Sequence, residues 1–110
     1  GTVTGSATII GSNGLSITLT ASGGMAKVSQ INIYDPNGNL LLKLPGGTLP
    51  SGCNLYIYNS TGTETSWGTQ VIQAGQSATI DLTGTCGMGT AASVEIIYNN
   101  GRSTTITVGS

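Results

Sequence analysis

Segments rich in Val, Ile, Thr and Tyr recur along the chain about every eight to twelve residues, each closed off by Gly, Asn or Pro, and no stretch sustains a helical period. That pattern predicts an all-β fold. The candidate strands are Thr2–Ile10, Leu15–Ala21, Ala26–Tyr34, Leu40–Leu44, Asn54–Tyr58, Thr69–Ile72, Ser77–Leu82, Ala92–Tyr98 and Ser103–Val108. In the second of these, Leu15, Ile17 and Leu19 share one face, with Ser16, Thr18 and Thr20 opposite, as a half-buried strand requires. Seven to nine short antiparallel strands of this kind pack as two sheets, an immunoglobulin-like or related Greek-key β-sandwich. The 110 residues, 37% of them hydrophobic, supply one core, so residues 1–110 are expected to form one domain.

Turn chemistry sets two registers. In the last hairpin, Val94, Ile96 and Tyr98 lie on one face of the incoming strand, and Thr104, Ile106 and Val108 on one face of the outgoing strand. A two-residue Asn100-Gly101 loop would put these sets on opposite faces. A three-residue loop, Asn99-Asn100-Gly101, pairs Tyr98 with Arg102 and Val94 with Ile106, with Gly at a left-handed bulge position. Around Asp35-Pro36-Asn37-Gly38, symmetric pairing sets Ile33 opposite Leu42 and Ile31 opposite Leu44. Val28 is out of phase with Ile31 and Ile33, which predicts a bulge near Ser29-Gln30. Pro45 and Pro50 bracket a loop that cannot continue a central strand.

Charge excludes several function classes. With three Lys+Arg, four Asp+Glu and a net charge of −1, the chain has no basic cluster to neutralise phosphates, so neither nucleic acid nor an anionic membrane is an expected partner. No apolar run approaches the roughly 20 residues of a membrane helix. Only 6% of residues are charged, against about 25% in ordinary domains, so hydroxyls and amides must solvate the surface. Stability should then depend weakly on pH, suiting either an acidic extracellular setting or an ordinary Thr/Ser-rich secreted protein. The acid-labile Asp35-Pro36 bond argues against the acidic setting. Catalysis needs a positioned acid, base or activated nucleophile. The carboxylates Asp35, Glu64, Asp81 and Glu95 show no spacing that pairs them, there is no His, and Glu95 falls on the outer face of its strand. The expectation is no enzyme, no cofactor and no metal. Asp35, Asn37 and Asn39 alternate like the start of a calcium loop, but Gly38 and Gly46 stand where that loop requires other residues, which favours a hairpin turn.

Cys53 and Cys86 sit in glycine-punctuated segments and are read as one structural disulfide, since two Cys without His cannot complete a zinc site. Asn59-Ser60-Thr61 matches the N-glycosylation acceptor pattern. Tyr56 and Tyr58 project to the same face of their strand and Trp67 follows in a Gly-flanked loop, a set that either stacks sugar rings or fills the core. Met25 and Met88 read as gap-fillers or loop residues.

The opening Gly1-Thr2-Val3-Thr4-Gly5-Ser6, the strand Ser16–Gly24, the unit Ile31–Leu40, the strand Ala74–Leu82 and the closing hairpin Val94–Gly101 resemble the extracellular β-sandwich domains of archaeal type IV pilins and archaellum-associated proteins. Proteins of that kind carry an N-terminal apolar helix in a filament core or membrane, with the β domain outside. The resemblance implies an extracellular, non-enzymatic domain of a cell-surface filament or of its envelope anchor, whose partners are other protein subunits. Residues 1–11 would then be a linker, or a strand exchangeable with a neighbour's open edge. The alternatives are a carbohydrate-binding or adhesion module that uses Tyr56, Tyr58 and Trp67 on surface glycans, and a viral or envelope coat subunit.

Overall fold

The computed structural model describes residues 1–109, which form ten strands: β1 (Thr2–Ile10), β2 (Gly14–Ser22), β3 (Ala26–Tyr34), β4 (Leu40–Leu44), β5 (Cys53–Asn59), β6 (Gly62–Glu64), β7 (Gln70–Ile72), β8 (Ser77–Gly84), β9 (Ser93–Tyr98) and β10 (Arg102–Thr107). They build two antiparallel five-stranded sheets. The first runs β1-β2-β8-β5-β6 and the second β10-β9-β3-β4, with β7 also paired to β3. Non-sequential neighbours, β2–β8, β5–β8 and β3–β9, come from crossovers between the sheets. The architecture is the expected β-sandwich.

Alternation dictates which side chains meet between the sheets. Leu15, Ile17 and Leu19 of β2, Ile31 and Ile33 of β3, Ile57 of β5, Ile80 and Leu82 of β8, and Val94 and Ile96 of β9 have no exposed surface. All belong to one apolar cluster. At about 25 cal/mol per Å² of apolar area removed from water, this layer is the main favourable contribution to folding.

Both expected registers occur: Ile31 pairs with Leu44 and Ile33 with Leu42, while Tyr98 pairs with Arg102 and Val94 with Ile106. Asn99, Asn100 and Gly101 all have positive φ, at 45°, 63° and 92°, a backbone that Asn and Gly tolerate best. The register of β3 against β9 shifts between Val28 and Gln30, at the bulge that the phase change predicts. A second irregularity, between Ile33 and Tyr34, brings Tyr34 opposite Leu40. After β4 the chain leaves the second sheet through the Pro45–Pro50 loop and enters β5.

Two features differ from expectation. The segment Gly62–Glu64, read as loop, is a short exposed strand paired with the end of β5. Residues Thr2–Ile10, expected as a strand, are paired along their whole length with β2. Glu95 lies on the outer face as expected, yet it is half-buried and hydrogen-bonded.

Cys53 and Cys86 are joined by a disulfide with Cα atoms 4.8 Å apart, tying the start of β5 to the β8–β9 loop. The bridge closes a loop across a sequence separation of 33 residues, which restricts the unfolded chain by roughly 3–4 kcal/mol in the entropic model. Gly84 makes this corner fit. Its φ is +94°, and a Cβ there would collide with the carbonyl oxygen of Gly52.

Candidate functional site

The outer faces of the two sheets differ in chemistry. On the first sheet, outward positions fall into rows across the strands. One row is Thr4, Thr20 and Ser77; the next is Ser6, Thr18, Thr79, Tyr58 and Thr63; the third is Thr8, Ser16, Asp81 and Tyr56. Neighbouring strands lie about 4.8 Å apart and like-facing residues about 6.8 Å apart along a strand. The result is a regular array of hydroxyls. Some of them bond to one another, as Thr20 with Ser77 at 2.8 Å and Thr2 with Ser22 at 3.0 Å. The Ser16 hydroxyl donates to Asp81 Oδ1 at 2.5 Å.

Tyr56 and Tyr58 stand at one side of this array because they alternate with the inward Leu55 and Ile57 of β5. Their ring centroids are 6.4 Å apart and their planes differ by 26°. Tyr56 is half-buried and Tyr58 is 45% exposed. Trp67 does not join them. It lies in the loop that carries the chain from β6 to β7, half-buried against the core.

The second sheet carries a hydrogen-bonded polar chain on its outer face. Gln30 Nε2 donates to Asn32 Oδ1 at 2.9 Å, Asn32 Nδ2 to Glu95 Oε1 at 2.9 Å, and the Tyr34 hydroxyl to the same oxygen at 3.3 Å. Asn32 is only 6% exposed, so its amide depends on these partners. Burial, followed by the Glu95 charge and its hydrogen bond, raises the Tyr34 pKa above the usual phenol value. Period-2 reasoning places Asn32 outward but gives no sign that the neighbouring side chains enclose it.

The remaining candidate residues serve local structure. The Asp35 carboxylate accepts from the Asn37 and Asn39 amides at 2.9 Å each and from Asn39 Nδ2 at 3.1 Å. The backbone and side-chain bonds from Asn39, with a further contribution from the Asn37 amide, hold its pKa below the ordinary carboxyl value. Both oxygens of the Asp35 carboxylate are thus taken by turn donors. Asn59 closes the β5–β6 turn: its Oδ1 accepts from the Thr61 amide at 2.9 Å and the Thr61 hydroxyl at 2.6 Å. Its Nδ2, the atom a glycan would occupy, donates to Gln70 Oε1 at 3.1 Å, and Gln70 is itself buried. Asp81 and Glu95 lie on outer faces of different sheets, Asp35 in a turn and Glu64 on β6. Among the described residues no three His, Cys, Asp or Glu side chains gather as a metal site, and no helix is long and apolar enough to cross a membrane.

A third feature lies at the corner where β1 meets the end of β10. Among the described residues the outer edge of β1 is bridged once, in parallel, by Ala7 and Val108, with the Gly109 amide donating to Ala7 O at 2.9 Å. Beyond this bridge a shallow cavity of about 520 Å³ is lined by Thr8, Ile9, Ala91, Val108 and Gly109. Ile9 is 36% exposed there, while Ile10, 40% exposed, is directed to the other face of β1. Ile9, Ile10, Met25 and Leu40 are large apolar side chains standing exposed on a surface rich in hydroxyls.

Compared with protein-family models, with curated proteins and with solved structures, the chain matches none.

Proposed function

We propose that the chain is a non-enzymatic extracellular domain that assembles with other protein subunits, as part of a cell-surface filament of the archaeal pilin-like kind or of the envelope anchor that holds one. The observation that carries this reading is the β1 corner. Of the nine residues in β1 only Val3 and Ala7 are buried, while β2 beside it buries Leu15, Ile17, Leu19 and Ala21 completely. The strand therefore holds to the sandwich mostly through backbone hydrogen bonds to β2. Among the described residues its far edge has no strand partner past Ala7, and Ile9 offers apolar surface beside it. A neighbouring subunit gains both unpaired backbone groups and apolar area by docking at this corner.

The disulfide supports an oxidising, extracellular location. A surface of hydroxyls, with few ionised groups, supports a passive structural role over acid–base chemistry. Immunoelectron microscopy of the native cells, with antibodies raised against this domain, tests the reading. Label along surface filaments or at their bases is the expected result; label confined to the cytoplasm contradicts it.

A further inference from the structure

Of the tyrosine pair Tyr56 is half-buried and Tyr58 exposed, and neither ring lies in the core. Sheet-face positions around the pair are filled by Thr, Ser and Asp, which solvate the sandwich without aromatic surface, and the core needs neither ring, since Leu55 and Ile57 of the same strand already fill it. Tyr58 nevertheless keeps 45% of its surface in water.

We propose that the outer face of the first sheet around Tyr56 and Tyr58 binds a neutral polysaccharide. A pyranose ring has apolar C–H faces and a rim of hydroxyls, and so needs an aromatic plane beside hydrogen-bonding groups that both donate and accept. The two rings, 6.4 Å between centroids and 26° from parallel, stack on one another, and Tyr58, the more exposed of them, keeps aromatic surface for a sugar. The polar partners stand in register with them. Asp81 pairs across from Tyr56, and Thr79 and Thr63 flank Tyr58. Asp81 is already oriented by Ser16, so its carboxylate is held as an acceptor before a sugar arrives. No cation belongs to these rows and Asp81 is their one charge, which disfavours an acidic polymer. Trp67 lies off this face, so its fluorescence is a poor reporter of binding.

The proposal stands apart from the assembly reading, because it uses the β5–β8 side of the sheet and not the β1 corner. Its test is affinity electrophoresis of the whole domain through gels containing mixed-linkage β-glucan, xyloglucan or galactomannan, with alginate as the acidic control. Retardation by at least one neutral polymer and not by alginate is expected, with a loss of about tenfold in affinity in Tyr56→Ala and in Tyr58→Ala. If either variant fails to fold, amide shift mapping of the unaltered protein decides. Sugar-induced shifts centred on Tyr56, Tyr58, Thr79 and Asp81 support the site. Absence of retardation by all three neutral polymers, stronger retention by alginate, or shifts centred on the second sheet would overturn it.

Discussion

Gly84 shows how narrowly one position can be specified. Its left-handed backbone and the approach of the Gly52 carbonyl leave no room for a side chain, at the point where β8 ends and the disulfide begins. Gly84→Ala should cost roughly 2 kcal/mol or more in urea denaturation, since a non-glycine residue in that conformation alone costs about 1–2 kcal/mol. Asn32 is specified by partners and not by space. Asn32→Ala leaves Glu95 and Gln30 without the amide that links them, and a loss of about 1–3 kcal/mol is expected by the same measurement. A change under 0.3 kcal/mol, roughly the noise of such a comparison, would mean water replaces the amide fully.

At the scale of elements, β8 and β1 are opposites. β8 lies between β2 and β5 and buries Ala78, Ile80 and Leu82, whereas β1 is an edge strand anchored by Val3 and Ala7. Ile80→Ala should cost about 3–5 kcal/mol and Val3→Ala roughly 1.5–2 kcal/mol. Equal losses would show that β1 is as firmly held as the centre of its sheet, which the assembly reading does not allow. The same contrast explains what was legible beforehand. The two hairpins around Asp35–Gly38 and Asn99–Gly101 could be registered because apolar alternation and turn residues agree there on a single pairing. The bulge near Ser29 was visible as a break in phase. β6 was not, because Gly62, Thr63 and Glu64 are all exposed and bury nothing that would leave a pattern. The pairing of Tyr56 with Tyr58 follows from spacing on one strand, but the separation of Trp67 from them depends on which sheet the following loop enters. The enclosure of Asn32 likewise depends on neighbours from two other positions in the chain, Gln30 and Glu95.

For the molecule as a whole, few groups couple folding to protons. Asp35 has a lowered pKa in the folded state, so its contribution is present above the ordinary carboxyl value near 4 and is lost as pH falls through the folded value. Tyr34 has a raised pKa, so its contribution is present below about 10 and is lost as pH rises through the folded value. The melting temperature should therefore be nearly flat from about pH 5 to about pH 9 and fall outside that window; a step inside it would point to a titrating group that neither residue provides. Reduction of Cys53–Cys86 should lower stability by roughly 3–4 kcal/mol across the plateau.

In the proposed assembly, other subunits meet the sandwich at the corner of Ile9, Ala91 and Val108, with Ile10 next to it on the other face of β1. Sedimentation velocity of the domain up to about 1 mM, where even an association worth about 4 kcal/mol is substantially populated, tests it most directly. Concentration-dependent association is expected, and its loss in an Ile9→Ser, Ile10→Ser double variant that remains folded. A monomer at every concentration, or association that the double variant leaves intact, would contradict it.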